Sequence, residues 1–196
     1  MRYLKVYDLL PGLDLSSELQ EMLPLLPGWR RGKALSYRFE IDRFLSAKSF
    51  LMIEDLLREH FGLASCPEFL YGIHGKPYLG EYPDIHFNIS HCKKGIACAV
   101  SDNPVGVDIE EIQYDAGLAG RVLNAEEFSS VRLSDEPDVR FAELWTCKEG
   151  LLKLSGEGIA VNLANVLSSA TDISFETRIN RELGYVVSLA FSEKNQ

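Results

Sequence analysis

The chain has 196 residues, of which 46% are hydrophobic and 25% charged, and it carries a formal net charge of −9. This composition is ordinary for a globular protein with a real core, and the acidic balance argues against a nucleic-acid-binding protein, which needs a basic face. No apolar run approaches the length of a membrane span, the N-terminus lacks a signal-peptide pattern, and the four cysteines lack C-x-x-C or zinc-finger spacing. We therefore expect a cytoplasmic protein with no membrane partner.

The first half of the chain predicts one strand, one long helix and several short strands. The predicted elements are a strand at 3–7, a helix at 35–61, and strands at 68–73, 85–90 and 95–100. Apolar residues at helical spacing indicate the helix, and Gly62 is its natural end. The segment before the helix is predicted to be a loop with a short basic run at 29–33, whereas Gly75-Lys76-Pro77 predicts a sharp turn.

The second half begins with another strand. The predicted elements are a strand at 105–110, helices at 117–134 and 138–155, and strands at 172–179 and 185–191. The strands at 95–100 and 105–110 are predicted to form a hairpin, because only turn residues and Pro104 separate them. The predicted class is α+β, with two similar halves, 1–103 and 104–196, related by a pseudo-twofold axis. Each half has a long helix packed on a small, mainly antiparallel sheet, and we expect the halves to form one compact unit.

The strand at 105–110 carries two carboxylates on one face. Val105, Val107 and Ile109 alternate with polar or small residues, so Asp108 and Glu110 point the same way. Their spacing along the strand is roughly 6.5–7 Å. Two like charges on one face repel, and a hard cation such as Mg²⁺ removes that repulsion. The alternative is a surface edge strand whose polar face meets solvent, and these residues alone favour that alternative.

The second long helix places Trp145, Glu149 and Lys153 at i, i+4 and i+8, near one line along its surface. One interpretation makes Glu149 a third oxygen ligand for a metal at the two strand carboxylates, with Lys153 facing a phosphate that shares the metal. The other interpretation is a surface ion pair beside a core tryptophan, which would contribute only about 0.3–0.5 kcal/mol.

Four motifs in this order resemble the 4′-phosphopantetheinyl transferases, specifically their monomeric, surfactin-synthetase-activating type. The motifs are Gly75-Lys76-Pro77, then His86-Phe87-Asn88-Ile89-Ser90-His91, then Val105-Gly106-Val107-Asp108-Ile109-Glu110, and finally Trp145-x-x-Lys148-Glu149-x-x-x-Lys153. Each motif is weak alone, but the four together, with these spacings, are specific. The resemblance implies transfer of the phosphopantetheine arm of coenzyme A to a serine of an apo acyl or peptidyl carrier protein, with release of 3′,5′-ADP.

The resemblance also implies roles for individual residues. Asp108, Glu110 and Glu149 would hold Mg²⁺, with Mn²⁺ as an alternative, on the diphosphate of coenzyme A. Glu149 or a metal-bound water would be the base for the attacking serine, Lys153 would stabilise the leaving phosphate, and His91 would help to offset the diphosphate charge. The positions that match the family's nucleotide and phosphate contacts are Lys76, Pro77, Ser90, His91, Lys148 and Lys153, with Arg43 and the Arg30-Arg31 pair as a looser match to its upstream cations. We expect a monomer.

The sequence departs from the family pattern at two places near these motifs. Lys93 and Lys94 stand in a turn that is usually short and built of small residues, and Gly150 stands where Ser or Ala is usual after the Lys-Glu pair. Neither change removes a residue implied as a metal ligand. Two alternative functions stay open: another Mg²⁺-dependent enzyme acting on a phosphate ester, and a non-catalytic binder of coenzyme A or of carrier proteins.

Overall fold

The computed structural model describes residues 1–156 and 162–192. Within these residues, eight strands form two three-stranded antiparallel sheets and one two-stranded hairpin, and six α-helices pack against them. The predicted α+β class with antiparallel strands is therefore confirmed. No helix in this part of the chain is long and apolar enough to cross a membrane.

The sheet of the first half has the strand order β1-β5-β4. The elements of this half are β1 (Arg2–Asp8), α1 (Leu15–Met22), a 3-10 turn (Leu23–Leu25), α2 (Gly28–Leu35), α3 (Glu40–Phe61), β2 (Phe69–Tyr71), β3 (Pro77–Leu79), β4 (His86–Cys92) and β5 (Gly95–Ser101). The predicted long helix is α3, and it ends at Gly62, whose φ of 69° is left-handed. The segment predicted as a loop instead contains α1 and α2, and the basic run belongs to α2.

The sheet of the second half has the order β6-β8-β7. Its elements are β6 (Val105–Glu111), α4 (Ala116–Val122), α5 (Ala125–Arg132), α6 (Pro137–Ser155), a 3-10 turn (Leu163–Asn165), β7 (Ile173–Asn180) and β8 (Tyr185–Ser192). The single helix predicted at 117–134 is two helices, because Asn124 starts α5 with a capping box that it forms with Glu127.

The predicted hairpin between β5 and β6 is wrong. β5 pairs with β1 on one edge and with β4 on the other, so it has no free edge for β6. β6 pairs with β8 instead, and the chain passes from one sheet to the other between Ser101 and Val105.

Strand β5 joins the two halves because both of its faces are buried. Ile96, Cys98 and Val100 lie in the core that includes α3. Ala97 and Ala99 point the other way and pack with the apolar face of β6 and with β8. The two halves therefore contact each other through β5, while their organisation as one compact unit, their boundary at residue 103 and their pseudo-twofold relation stay predictions.

The second face of β6 is covered by α6. A Cβ atom on Gly106 would lie only 2.0 Å from the backbone oxygen of Gly150, so strand and helix cross at backbone contact. The edge of β6 that does not pair with β8 receives Asn88 of β4, whose Oδ1 accepts a hydrogen bond of 2.9 Å from the Val107 amide. β6 is thus an edge strand by pairing but a buried one, and the solvent-facing alternative is wrong.

Candidate active site

Asp108 is the most buried acid of the candidate site, with 2% of its surface exposed. Its Oδ1 accepts hydrogen bonds from the Ser90 hydroxyl at 2.8 Å and from the Lys153 ammonium at 2.5 Å. Lys153 also donates to the Ser90 hydroxyl at 2.8 Å. The other oxygen, Oδ2, is buried without a hydrogen-bond partner. A buried carboxylate oxygen without a partner is costly, so this atom is suited to a cation.

Glu110 and Glu149 lie close enough to Asp108 for the three charges to interact. Burial, and then the charge of Asp108, raises the pKa of Glu110 from its ordinary value of 4.5 to about 7. Burial and Asp108 also raise the pKa of Glu149. The Trp145 side chain donates a hydrogen bond to Glu110 and, with the positive charge of Lys153, opposes the rise.

These carboxylates fit a hard divalent cation by their chemistry. They supply oxygen ligands, they repel one another, and one of them has an unpartnered buried oxygen. Across residues 1–156 and 162–192, however, no three His, Cys, Asp or Glu side chains are already arranged around one point as metal ligands. The positive charge that partly neutralises the group is the Lys153 ammonium on Asp108.

A cavity of about 270 Å³, the Lys153 cavity, lies beside this group and between the two halves. Its lining residues are His74, Gly75, Lys76, Pro77, Asn88, Ile89, Glu149, Leu152, Lys153 and Gly156. It therefore brings the predicted turn motif next to the acidic and basic residues of α6. The Lys76 ammonium does not point freely into it, because it donates to the backbone oxygens of Leu154 at 2.9 Å and Val105 at 3.3 Å.

A second cavity, the Arg30 cavity, measures about 380 Å³ and shares Pro77 and Ile89 with the first. Its other lining residues are Arg30, Lys33, Tyr37, Asp42, Leu45, Ser46, Ser49, Phe69, Tyr71 and His91. Arg30 is 6% exposed, and one of its terminal nitrogens donates to the Ser46 carbonyl at 2.7 Å. Its Nε and the Ser46 hydroxyl are both buried without hydrogen-bond partners. A buried guanidinium with an unused donor favours an anionic ligand.

His91 lies between the two groups of charge. It lines the Arg30 cavity, and desolvation together with the positive charge of Lys153 lowers its pKa. Both effects favour the neutral imidazole in the absence of an anion. An anion bound nearby would favour its protonated form.

The other predicted cations lie elsewhere. Arg31 donates to the backbone oxygens of Pro24 and Leu26 on the surface. Arg43 donates through Nε to the Tyr37 backbone oxygen. Neither is a lining residue of the two cavities. Sequence reasoning missed the cavity-forming roles of Ser46 and Tyr71, which carry no motif and come together only through the packing of α2, α3 and β2.

Lys148, which the sequence analysis assigned to coenzyme binding, has only protein partners in this structure. Its side chain is fully buried and forms an ion pair with Glu127 at 2.9 Å. The same ammonium donates to the backbone oxygens of Leu163 and Ala164. Lys148 therefore ties α6 to α5 and to the segment that contains Leu163 and Ala164, and it is not a lining residue of the two cavities.

Comparisons with known proteins identify relatives of this chain in one enzyme family. The family model of the 4′-phosphopantetheinyl transferase superfamily matches residues 104–191. The 4′-phosphopantetheinyl transferase psf-1 of Bacillus pumilus is 30% identical over 153 residues, which are 76% of this chain and 65% of that relative. The Sfp transferase of Bacillus subtilis is 27% identical over 82% of this chain and 74% of its own length.

The 4′-phosphopantetheinyl transferase AcpT of Escherichia coli K12 is 32% identical over 152 residues, 74% of this chain and 72% of that protein. The chain thus spans slightly less than two thirds of the Bacillus pumilus relative and more than two thirds of the other two. With motifs, fold and relatives in agreement, the chain belongs to the 4′-phosphopantetheinyl transferase superfamily.

Proposed function

We propose that the protein transfers the 4′-phosphopantetheine group of coenzyme A to a serine of an apo acyl or peptidyl carrier protein and releases 3′,5′-ADP. The observation that carries the proposal is the buried Asp108, which shares one oxygen with Ser90 and Lys153 and has an unpartnered second oxygen beside a cavity. The names of the relatives support the same reaction. A cytoplasmic monomer is part of the proposal.

The coenzyme has one phosphate on its ribose and a diphosphate between its nucleotide and its pantetheine arm, and the two adjoining cavities suit this separation. We assign the ribose phosphate to Arg30, with Lys33 and His91, because Arg30 has an unused buried donor. We do not assign this role to Arg31 or Arg43, because both bond to backbone oxygens and neither lines the two cavities. We assign the diphosphate to the Lys153 cavity, with contacts from Ser90 and Lys153, and the turn that carries Pro77 forms part of its wall.

Asp108, Glu110 and Glu149 would hold Mg²⁺, or Mn²⁺ as an alternative. When bound, the ion neutralises charge on the diphosphate and polarises its phosphorus–oxygen bonds. The free oxygen of Asp108 and the raised pKa values of the two glutamates support this donor set.

The residues of the chain suit an in-line displacement at the phosphorus that carries the pantetheine arm. The serine oxygen of the carrier forms a bond to this phosphorus, and the bond from the phosphorus to the bridging oxygen breaks. The bridging oxygen leaves with 3′,5′-ADP. Glu149 has a raised pKa and accepts the proton of the serine hydroxyl. Lys153, which reaches Asp108 and Ser90, donates to the leaving phosphate as its charge grows.

The test is an incubation with coenzyme A, Mg²⁺ and an apo carrier protein, followed by mass spectrometry of the carrier. A mass gain equal to phosphopantetheine supports the transferase, and Asp108→Asn should abolish it. Cleavage of coenzyme A without a gain in carrier mass would support a phosphohydrolase instead. Binding of coenzyme A or carrier with neither product would support a non-catalytic binder.

A further inference from the structure

Lys76 connects the turn of the first half to the two elements that carry the site acids. It belongs to the tight turn between β2 and β3, which closes through a hydrogen bond from the Gly72 amide to the Lys76 backbone oxygen. Its ammonium donates to the backbone oxygen of Leu154 at 2.9 Å and to that of Val105 at 3.3 Å. Leu154 belongs to α6, and Val105 is the first residue of β6.

The bond to Leu154 lies where a helix needs an outside partner. The last carbonyls of an α-helix have no intrahelical donor, and a cation there also interacts favourably with the helix dipole. The helix ends at Gly156, whose φ is +71°. A Cβ on Gly156 would lie 3.3 Å from Cδ of Lys76, so the glycine leaves room for the lysine stem to pass.

The bond to Val105 lies beside the point where β6 and α6 cross. A Cβ on Gly106 would lie 2.0 Å from the Gly150 oxygen and 2.4 Å from the Leu154 nitrogen, so the two backbones are in direct contact there. The Lys76 ammonium therefore bonds to both β6 and α6 next to the point where they cross. Asp108 follows three residues later on β6, and Lys153 precedes Leu154 on α6.

We propose that Lys76 is a positioning residue that fixes the end of α6 and the start of β6 against the turn of the first half. It thereby keeps Lys153 and the three acids, Asp108, Glu110 and Glu149, in place beside the Lys153 cavity. Its ammonium hydrogen bonds go to two backbone oxygens, which is the pattern of a structural clamp and not of a free phosphate ligand. Burial also lowers the pKa of Lys76 to about 8, as expected for a desolvated amine. The catalytic consequence rests on the proposed transferase function, but the clamp itself does not.

Hydrogen exchange on the free protein tests the clamp without any enzyme assay. Lys76→Met keeps the stem and removes the ammonium, and we expect the last-turn amides of α6, including Gly156, to exchange about 10-fold faster or more. The last-turn amides of α3 should be unchanged. Lys5→Met is the matched control, because it removes a surface ion pair with Asp55 on β1 and α3 and should leave α6 unchanged. If Lys76→Met does not fold, Lys76→Gln, which is too short to reach both oxygens, is read in the same way.

Kinetics then separate a clamp from a phosphate ligand. For a clamp, kcat of Lys76→Met should fall about 10-fold or more, while the dissociation constant of 3′,5′-ADP changes little. Lys76→Arg should recover part of both the exchange protection and kcat, because it keeps a charged donor. Unchanged exchange at the end of α6, with weakened 3′,5′-ADP binding, would overturn the inference in favour of a phosphate contact. Faster exchange in Lys76→Met, with a wild-type protein that shows no transfer, would support the clamp and refute the proposed function.

Discussion

The Lys153 cavity and the Arg30 cavity adjoin at Pro77 and Ile89, yet they differ in the charge of the buried group that lacks a partner. Beside the first, the unpartnered atom is a carboxylate oxygen of Asp108, which suits a cation. In the second it is the Nε of Arg30, which suits an anion. A ligand that combines a metal ion with several phosphates would supply partners for both atoms, because the metal ion would bind the carboxylate oxygen and a phosphate would bind the guanidinium. The difference teaches that the net charge of −9 says little about an individual site.

The largest effect should come from Asp108, beside the Lys153 cavity. Asp108→Asn keeps the shape of the side chain but removes the charge that Lys153 and Ser90 bind, and we expect turnover to fall by about 10³-fold or more. Rates of carrier modification at saturating Mg²⁺ and coenzyme A measure this loss. Turnover near that of the wild type would show that the acidic group is not the reaction centre.

The next effect concerns the Lys148–Glu127 ion pair and shows whether Lys148 contributes only to stability. Lys148→Met removes the ammonium from the largely buried carboxylate of Glu127, so we expect the free energy of unfolding to fall by about 3–5 kcal/mol. The affinity for coenzyme A should not change in the folded protein. Chemical denaturation and calorimetry measure the two quantities. A double variant that also carries Glu127→Gln should recover part of the stability, and a selective loss of coenzyme affinity would return Lys148 to the binding site.

Arg30→Met tests whether the Arg30 cavity binds an anion. It removes the unused buried donor, and we expect the affinity for 3′,5′-ADP to fall by about 10- to 100-fold and to depend less on salt. Arg31→Met is the control, since the Arg31 guanidinium binds backbone oxygens outside the cavity. Calorimetry over a range of salt concentrations gives both results. Equal losses in the two variants would mean that the Arg30 cavity is not an anion site.

The smallest effect is a pH dependence from Glu110, whose pKa is raised to about 7 in the folded protein. The folded state therefore holds a proton on this group more tightly than the unfolded state does. Without metal, its contribution to the free energy of unfolding is full at low pH and is lost as the pH rises from about 4.5 to 7. We compare the wild type with Glu110→Gln by chemical denaturation in the presence of a chelator at pH 5 and pH 7.5. The free energy of unfolding should fall further between these two pH values in the wild type than in the variant. The same pH dependence of stability in both proteins would contradict a raised pKa of Glu110.

The acidic side of the comparison follows from periodicity in the sequence, whereas on the basic side only the family resemblance pointed to His91 and the Arg30-Arg31 pair. β6 and α6 each place their candidate site residues by a regular period, so alternation and the i, i+4, i+8 spacing identified Asp108, Glu149 and Lys153. Arg30, Ser46 and His91 come from separate elements, and only the packed fold brings them to one cavity. Periodicity cannot show such a meeting, because it describes one element at a time.

Lys148 shows that neighbouring residues of one motif can have different partners in the fold. It stands next to Glu149 in the sequence, but successive residues on a helix point about 100° apart. The spacing that puts Trp145, Glu149 and Lys153 on one line therefore excludes Lys148 from it, and this was the available signal. The β5–β6 hairpin failed for a related reason, since a short connection does not reveal that both edges of β5 are already occupied.

The backbone crossing of β6 and α6 has a consequence for how this protein can change over time. On the strand side, no side chain larger than hydrogen fits at Gly106 without moving the helix. On the helix side, a methyl group at Gly150 would meet its nearest neighbours at 3.5–3.7 Å, which is ordinary contact. Alanine is also the better helix former, by about 1 kcal/mol. Substitution by alanine should therefore be tolerated at Gly150 and not at Gly106, although the two glycines are in contact.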